Sequence, residues 1–315
     1  MKGYVLLFLK GMAMGAADIV PGVSGGTIAF ISGIYGELIE SLRKLTPAAL
    51  VVWQREGFYA FWQYINGTFL LVLLGGILLS IFSLAHLVTY CLEHHPLLVG
   101  GFFFGLVLAA TIYIGRSLPF NQLTVWSAFV IGALAAIALA MAKPVQLPNE
   151  WWMVFAAGAI AICAMILPGI SGSFLLLLMG LYSFVLRSLI EADLLIITSF
   201  VAGCAVGLLS FSHLLSWLLR HYHNVTMAVL TGFLLGSLMI VWPWKQTVET
   251  VVNRHGEVVP VRQENLLPGD YGQLVGGDPQ TWSVIALAAI GLLLIFSIEY
   301  LAHQLRGRSR AAPAE

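Results

Sequence analysis

The sequence predicts an all-α polytopic membrane protein, built from two inverted-topology repeats that each contain a broken helical hairpin and three transmembrane helices. Three observations support this fold class. The 315 residues are 59% apolar and only 10% charged, whereas a soluble protein carries about 25% charged residues. Apolar segments of membrane-spanning length recur along the chain. A Pro-Gly motif also recurs, each time in the middle of a longer apolar stretch.

The first stretch, residues 4–42, and its counterpart, residues 151–190, are each interrupted near the middle. The interruptions read Pro21-Gly22-Val23-Ser24-Gly25-Gly26 and Pro168-Gly169-Ile170-Ser171-Gly172-Ser173. A stretch of about 40 residues is too long for one spanning helix and barely enough for two. We therefore predict a helix–break–helix hairpin in each, entering and leaving the membrane on the same side.

Six uninterrupted segments are long and apolar enough to cross a bilayer, which takes about 20 helical residues. They are residues 67–92, 97–115, 123–142, 195–219, 225–244 and 281–303. Residues 46–65 are rich in tryptophan and tyrosine, which predicts a helix lying in the membrane interface. Residues 245–280 are polar and acidic, and we predict them to be the longest aqueous loop.

The two broken stretches align with each other at a constant offset of 147 residues. The matched pairs are Pro21 and Pro168, Gly22 and Gly169, Ser24 and Ser171, Gly25 and Gly172, Gly33 and Gly180, and Tyr35 and Tyr182. At other offsets, the segment 83–87 resembles 210–214, and 101–105 resembles 232–236. The chain therefore divides into residues 1–148 and 149–315.

Parity predicts that the second repeat is inverted. A hairpin adds an even number of crossings and three spans add an odd number, so the second repeat begins on the opposite side. Inverted repeats with broken helices near the midplane are the architecture of many secondary transporters.

The basic residues predict the orientation. With the N-terminus inside, ten of them face the cytoplasm: Lys2, Lys10, Arg43, Lys44, Arg55, Arg116, Arg220, Arg306, Arg308 and Arg310. Five face outside: Lys143, Arg187, Lys245, Arg254 and Arg262. The excess predicts that both termini are cytoplasmic. The first residues resemble a signal peptide, but the recurrence of the motif that follows predicts a retained segment.

Composition also excludes several classes of function. The 15 basic and 15 acidic residues cancel, so we expect no nucleic-acid partner. Cys91, Cys163 and Cys204 are not at metal-ligand or CxxC spacing, so we expect no metal site and no cofactor.

The segment Gly15-Ala16-Ala17-Asp18-Ile19-Val20-Pro21-Gly22-Val23-Ser24-Gly25-Gly26-Thr27, continued by Gly33-Ile34-Tyr35, closely resembles the polyprenyl-phosphate transporter family of bacteria and archaea. The resemblance extends over essentially the whole chain, including the second Pro-Gly motif. It implies that undecaprenyl phosphate, the lipid carrier of envelope polymers, is moved from the outer to the inner leaflet for reuse. The implied location is the plasma membrane, which is the inner membrane in a Gram-negative cell. The implied partners are polyprenyl phosphate and membrane lipids, and the oligomeric state stays open.

A phosphate headgroup crossing hydrocarbon needs hydrogen-bond donors and positive potential, and a helix that starts inside the membrane supplies both. The predicted substrate-binding residues are those of the breaks, namely Pro21, Gly22, Ser24, Gly25, Gly26, Thr27, Pro168, Gly169, Ser171, Gly172 and Ser173. The alternative is that the breaks are structural kinks. Lys10 and Arg187 flank the hairpins and are predicted to snorkel to the interface, where they could capture phosphate.

Three ionisable residues are candidates for coupling to protons or sodium. Asp18 lies just before the first break, and its repeat counterpart is Met165. An intramembrane carboxylate is costly and marks a functional hypothesis; the alternative is a capping role in the hairpin. His86 and His213 match between the repeats and are either coupling groups or ordinary core histidines. Glu37 and Glu40 are predicted to be solvated at the inner interface.

Two other functions stay open from the residues alone. The first is transport of a small soluble anion by the same hairpins. The second is a membrane lipid phosphatase, which needs a nucleophile with a base or metal-binding carboxylates; the chain lacks such a pattern, and we predict no enzyme. Finally, Gly75, Gly76, Gly101, Gly105, Gly232 and Gly236 are predicted to let helices pack closely.

Overall fold

The computed structural model describes residues 2–20, 23–252 and 258–310. Pro21, Gly22 and Arg254, to which the sequence analysis assigns roles, lie outside these ranges. Within them the chain forms fifteen helices and one two-stranded sheet.

The first half of the chain contains eight helices. They are α1 (Lys2–Ile19), α2 (Gly25–Ile31), α3 (Tyr35–Arg43), α4 (Pro47–Glu56), α5 (Phe58–Tyr64), α6 (Gly67–His94), α7 (Pro96–Gly115) and α8 (Leu123–Ala140). The second half repeats this order from its hairpin onward. Its elements are α9 (Trp151–Ile166), α10 (Gly172–Leu178), α11 (Tyr182–Ile190), α12 (Leu194–His221), α13 (His223–Val241), β1 (Lys245–Val252), β2 (Val258–Asn265), α14 (Pro268–Val275) and α15 (Thr281–Arg310).

Five of the six predicted spans are confirmed as helices long and apolar enough to cross a membrane, namely α6, α7, α8, α12 and α13. The sixth predicted span lies within α15, whose apolar part runs over Thr281–Ser297. The chain is therefore a multi-pass membrane protein.

The second arm of each hairpin is short. The returning arms α2 and α10 have seven residues each, about 10 Å of helix, which is far short of a span. At the end of α10, the Leu178 carbonyl accepts from the Val145 N–H at 2.7 Å, just before α9 begins. At the end of α2, the Ser32 carbonyl accepts at 2.6 Å from Nζ of Lys10, which lies in the middle of α1. The chain then turns, and α11 bends from α10 by 106°.

The predicted interfacial segment is two helices and not one. Gly57 separates α4 from α5 with a φ of +87°, a conformation that glycine adopts without strain. Trp53 and Tyr59 are exposed on these helices, as expected for aromatic side chains at a membrane interface.

The segment 245–280, predicted to be a loop, carries regular structure. Strands β1 and β2 pair antiparallel, because both are rich in β-branched residues. The loop is held to the end of α13 by Trp242 Nε1, which donates to the Leu266 carbonyl, and by Trp244 Nε1, which donates to the Pro279 carbonyl, each at 2.9 Å. Lys245 donates to the Ile240 carbonyl, and burial lowers its pKa to about 8.

Helix packing repeats between the two halves of the chain. Helix α1 packs on α6 as α9 packs on α12, and α7 packs on α15 as α13 packs on α8. The close approaches are at glycines: the backbone of a neighbouring helix leaves no room for a Cβ at Gly76, Gly101, Gly105, Gly232 and Gly236, which confirms their predicted role. For Gly75 the prediction is wrong, because its nearest neighbour is the Phe8 ring at 3.7 Å, an ordinary contact.

Adjacent Gly75 and Gly76 form a matched pair for testing this packing. A Cβ at Gly76 would collide with the Phe8 carbonyl oxygen, so we expect Gly76→Ala to destabilise the α1–α6 pair by about 1–3 kcal/mol, as overpacking does. Gly75→Ala should leave stability unchanged within error. Thermal unfolding in detergent measures both, and equal melting temperatures for the two variants would contradict the packing described.

Candidate functional site

The two hairpin breaks are in direct contact. Ser24 precedes α2 as its N-cap, and its Oγ accepts from the Gly26 N–H at 3.1 Å. The same hydroxyl donates to the Met165 carbonyl at 3.1 Å, at the end of α9. In return, the Gly169 N–H donates to Thr27 Oγ1 at 2.9 Å. Ser24, Gly26, Thr27 and Gly169 are buried, so these hydrogen bonds hold one break against the other.

Tyr35 adds a further link that the sequence analysis does not predict. Its hydroxyl donates to the Ile166 carbonyl at 3.2 Å, and its ring makes an edge contact with Phe30 at 5.1 Å. Carbonyls at a helix C-terminus lack partners within the helix, and Ser24 and Tyr35 satisfy two of them on α9. The repeated Gly-Φ-Tyr motif marks Tyr35, but only the fold shows which carbonyl it contacts.

Asp18 contacts the start of α2. Its Oδ1 accepts from the Gly25 N–H at 2.6 Å, so a carboxylate lies where the positive end of this short helix faces. Gly25 permits this approach, since a Cβ there would lie 2.6 Å from Asp18 Oδ2. Met165, the repeat counterpart, has no group that can do the same, and the two breaks therefore differ chemically.

The second break keeps more of its polar groups available. Ser173 is exposed and Ser171 is half-buried, with their hydroxyl oxygens 2.8 Å apart. Among the described residues, the N–H groups of Gly172 and Ser173 have no hydrogen-bond acceptor, whereas those of Gly25 and Gly26 do. Pro168 and Gly169 are buried behind this face, and Gly169 has a φ of +88°.

Lys10 and Arg187 lie away from the breaks. Lys10 contacts the far end of α2 through Ser32 and lines an open cavity of about 390 Å³ together with Glu37 and Asn66. Arg187 forms an ion pair with Glu191 at 3.3 Å, in which both side chains are about half exposed. Lys10 thus lies against the end of α2, and Arg187 lies in the last turns of α11.

The two histidines are exposed on α6 and α12. His213 Nδ1 lies 2.8 Å from the Leu209 carbonyl of its own helix, and His86 lines an open cavity on α6. The described contacts of neither histidine include a residue of the breaks.

Glu40 is more enclosed than the sequence predicts. It accepts from Arg43 Nε at 3.1 Å and from Ser216 Oγ at 2.8 Å, and so joins α3 of the first half to α12 of the second. The spacing of Glu40 and Arg43 on one helix face is visible in the sequence, but the link to Ser216 is not. Glu37 remains exposed and accepts from Asn66 Nδ2 at 2.9 Å.

These features define a class of protein. A multi-pass helical membrane protein with two hairpins that meet at their breaks has the construction of a secondary transporter.

Comparison with known proteins assigns the family. Residues 14–259 match the family described as undecaprenyl phosphate translocase-like, and the chain belongs to it. A polyprenyl-phosphate transporter of Vibrio cholerae is 48% identical over 294 residues, covering 92% of this chain and 95% of the relative. A polyprenyl-phosphate transporter of Staphylococcus aureus is 33% identical over 254 residues, covering 75% and 85%. No solved structure matches the chain.

Proposed function

We propose that this protein translocates polyprenyl phosphate across the membrane, from the outer to the inner leaflet, and returns the carrier lipid to cell-envelope synthesis. The observation that carries the proposal is the match along nearly the whole chain to a relative named as a polyprenyl-phosphate transporter. The paired breaks support it chemically, because they put hydrogen-bond donors inside an apolar protein. The isoprenoid tail can stay in lipid while the headgroup crosses.

The headgroup site comprises both breaks, and the second supplies the accessible donors. The hydroxyl groups of Ser171 and Ser173 are on the more open side, and the N–H groups of buried Gly172 and exposed Ser173 have no acceptor among the described residues. Charge-assisted hydrogen bonds from such groups to phosphate oxygens are the strong kind. Arg187 outside and Lys10 inside would hold the phosphate before and after crossing.

Asp18 is the coupling residue in this proposal. Its carboxylate already engages the Gly25 N–H at 2.6 Å, and a phosphate nearby would repel it. Protonation, or a sodium ion bridging the two anions, would relieve that repulsion, so ion and lipid would favour each other's binding. The same reasoning leaves His86 and His213 as weaker coupling candidates, since both are exposed.

Asp18→Asn tests the coupling. The asparagine side chain keeps an oxygen that can accept from Gly25, so the hairpin should persist and headgroup binding should remain. The dependence of binding on pH or sodium should disappear. Binding of polyprenyl phosphate measured across pH 5.5–8.5, with and without sodium, checks this. If the variant keeps the ion dependence of the unmodified protein, Asp18 has no coupling role.

The two repeats, residues 1–148 and 149–315, are inverted relative to each other with both termini cytoplasmic. Arg43 and Arg220, both assigned to the cytoplasmic side, interact electrostatically with the Glu40 carboxylate. Arg116, assigned to the same side, lies over the Phe296 ring at 5.5 Å. The shared location of Arg43 and Arg220 beside Glu40 supports the orientation.

Cysteine labelling in intact cells tests the orientation. We expect an impermeant thiol reagent to label a cysteine at position 272 of the 245–280 segment from outside and to leave Arg310→Cys unlabelled until the cells are opened. Labelling of the cysteine at 310 in intact cells would reverse the proposed topology.

The deciding experiment is a leaflet-resolved assay of polyprenyl phosphate in liposomes that contain the purified protein. We expect the protein to redistribute the lipid between leaflets without changing its chemistry. Release of inorganic phosphate would indicate a phosphatase instead. Uptake of a soluble anion that polyprenyl phosphate does not inhibit would indicate the small-anion transporter.

A further inference from the structure

Helices α6 and α12 are copies of each other over their full length. Each has 28 residues, and they align without a gap at an offset of 127. The identical pairs are Gly76 and Gly203, Ser83 and Ser210, His86 and His213, Leu87 and Leu214, Leu92 and Leu219, and His94 and His221. Their ends match in detail, since Tyr90 stacks on His94 as Trp217 stacks on His221.

In the described part of the chain, both helices pack on the first helix of a hairpin, α6 on α1 and α12 on α9, but the C-terminal half of α12 is also covered by α3. On α12, Ser212, Leu215 and Ser216 are buried, and α3 packs on this helix. The polar contact is the hydrogen bond from Ser216 Oγ to Glu40. Arg220, one turn further along α12, also acts on the charge of Glu40.

The matching face of α6 is open. Thr89, which corresponds to Ser216, is exposed, and an open cavity of about 380 Å³ lies along this face. The residues that line it are Ala85, His86, Thr89, Tyr90 and Glu93. The structure is therefore asymmetric at a place where its two halves have the same helix.

The repeat alignment names the segment that would cover the open face. At the offset of 147, α3 corresponds to α11 and Glu40 corresponds to Arg187; at the offset of 127, Arg220 corresponds to Glu93. The signs of the charges are exchanged between the two pairs. In the first pair the acid is on α3 and the base is on α12; in the second pair the base is on α11 and the acid is on α6. Opposite charge is thus kept in both pairs.

We propose that the protein has a second conformation in which α11 docks on α6, with Arg187 against Thr89 and Glu93, while α3 leaves α12. This inference rests on the proposed transport function and describes how the site is exposed to each side. The present structure is the state closed at the α3–α12 end and open at the α11–α6 end. In the proposed orientation it faces outward.

The exchange is energetically accessible. The ion pair of Arg187 with Glu191 is about half exposed, and a surface pair of this kind contributes little to stability, so Arg187 can change partners at little cost. The breaks are joined through Ser24 and Met165 and through Thr27 and Gly169, which connects movement of one hairpin to the other. Alternating access by rocking of repeats needs such a connection.

Cross-linking tests the second state directly. In a full-length protein with Cys91, Cys163 and Cys204 replaced by serine, we would introduce either Glu40→Cys with Ser216→Cys or Arg187→Cys with Thr89→Cys. We expect both pairs to cross-link in membranes, and added polyprenyl phosphate to change their yields in opposite directions. Arg187→Cys with Leu74→Cys, an exposed position further along α6, is the control. A yield for the Arg187–Thr89 pair no higher than this control overturns the inference, as does efficient formation of both cross-links in one molecule.

Charge exchange provides a second measurement. Arg187→Glu and Glu93→Arg each place like charges in the proposed contact, so each should slow lipid transport by about tenfold. The double variant should transport faster than Arg187→Glu alone, although it does not regain the part of the rate that depends on Arg187 in phosphate capture. The control combines Arg187→Glu with Glu191→Arg. If Glu93 is the partner in transport, this double variant should transport lipid no faster than Arg187→Glu alone. Rescue by position 191 and not by 93 would refute the contact. Cross-linking does not depend on the lipid, so mutually exclusive cross-links without lipid transport would reject the proposed function and leave the two states standing.

Discussion

Lipid transport is expected to be abolished when Gly25 and Gly172 are both replaced by valine. A Cβ at Gly25 would lie 2.6 Å from Asp18 Oδ2, and one at Gly172 would lie 2.5 Å from the Ala161 carbonyl oxygen. Both distances are below any normal contact, so the Asp18 carboxylate must leave the Gly25 N–H, and the backbone at Gly172 must shift away from the position in which it could approach a phosphate. The leaflet-resolved assay in liposomes measures the effect.

The single variants should behave differently. The obstacle at Gly25 is a side chain, so adding Asp18→Ala to Gly25→Ala should recover stability in part. The obstacle at Gly172 is backbone, and no change of side chain removes it. Gly36→Val is the control, because nothing lies within 4 Å of a Cβ at this position. A folded, normally inserted double valine variant that transports lipid at the original rate would exclude the breaks as the headgroup site.

The second large effect is expected at Thr27, which connects the two breaks. Thr27→Val keeps the shape of the side chain but removes the acceptor for the buried Gly169 N–H, now bonded at 2.9 Å. An unsatisfied buried donor costs about 1–3 kcal/mol, so we expect a lower melting temperature and loss of transport. Thr27→Ser keeps the hydroxyl and should retain most of both.

Thermal unfolding in detergent and the liposome assay together decide this prediction. If Thr27→Val and Thr27→Ser have the same stability and the same rate, the hydrogen bond between the breaks is irrelevant to both. A drop in transport with unchanged stability would show that the hydrogen bond is needed for the movement between conformations and not for the stability of the fold.

The chain's periodicity and repeats were enough to predict its elements. Membrane spans are visible because a helix in lipid must be apolar along its length, and the breaks are visible because Pro and Gly interrupt such a run. The glycine contacts at Gly76, Gly105 and Gly236 follow from the same logic, since only a missing side chain permits close helix packing. The β1–β2 hairpin was missed, because polar segments between spans carry a weaker signal.

Which groups meet at the site is determined by contacts between segments that are far apart in the sequence. Thr27 and Gly169 are 142 positions apart, and Glu40 and Ser216 are 176 apart. No local pattern shows that Asp18 takes the Gly25 N–H, or that His86 and His213 lie on exposed faces. These facts require the packed structure, because a hydrogen bond forms only when donor and acceptor are placed to within a few tenths of an ångström.

By itself, the sequence determined that this is a membrane protein of two related halves, each with a broken hairpin, because composition, length and repetition act along the chain. Only the tertiary structure decided which half presents its donors and which keeps them bonded. Two related halves can pack in more than one way, and the hydrogen bonds of Ser24, Thr27 and Glu40 select one of them. The asymmetry on which transport would depend is therefore a property of packing and not of the repeat.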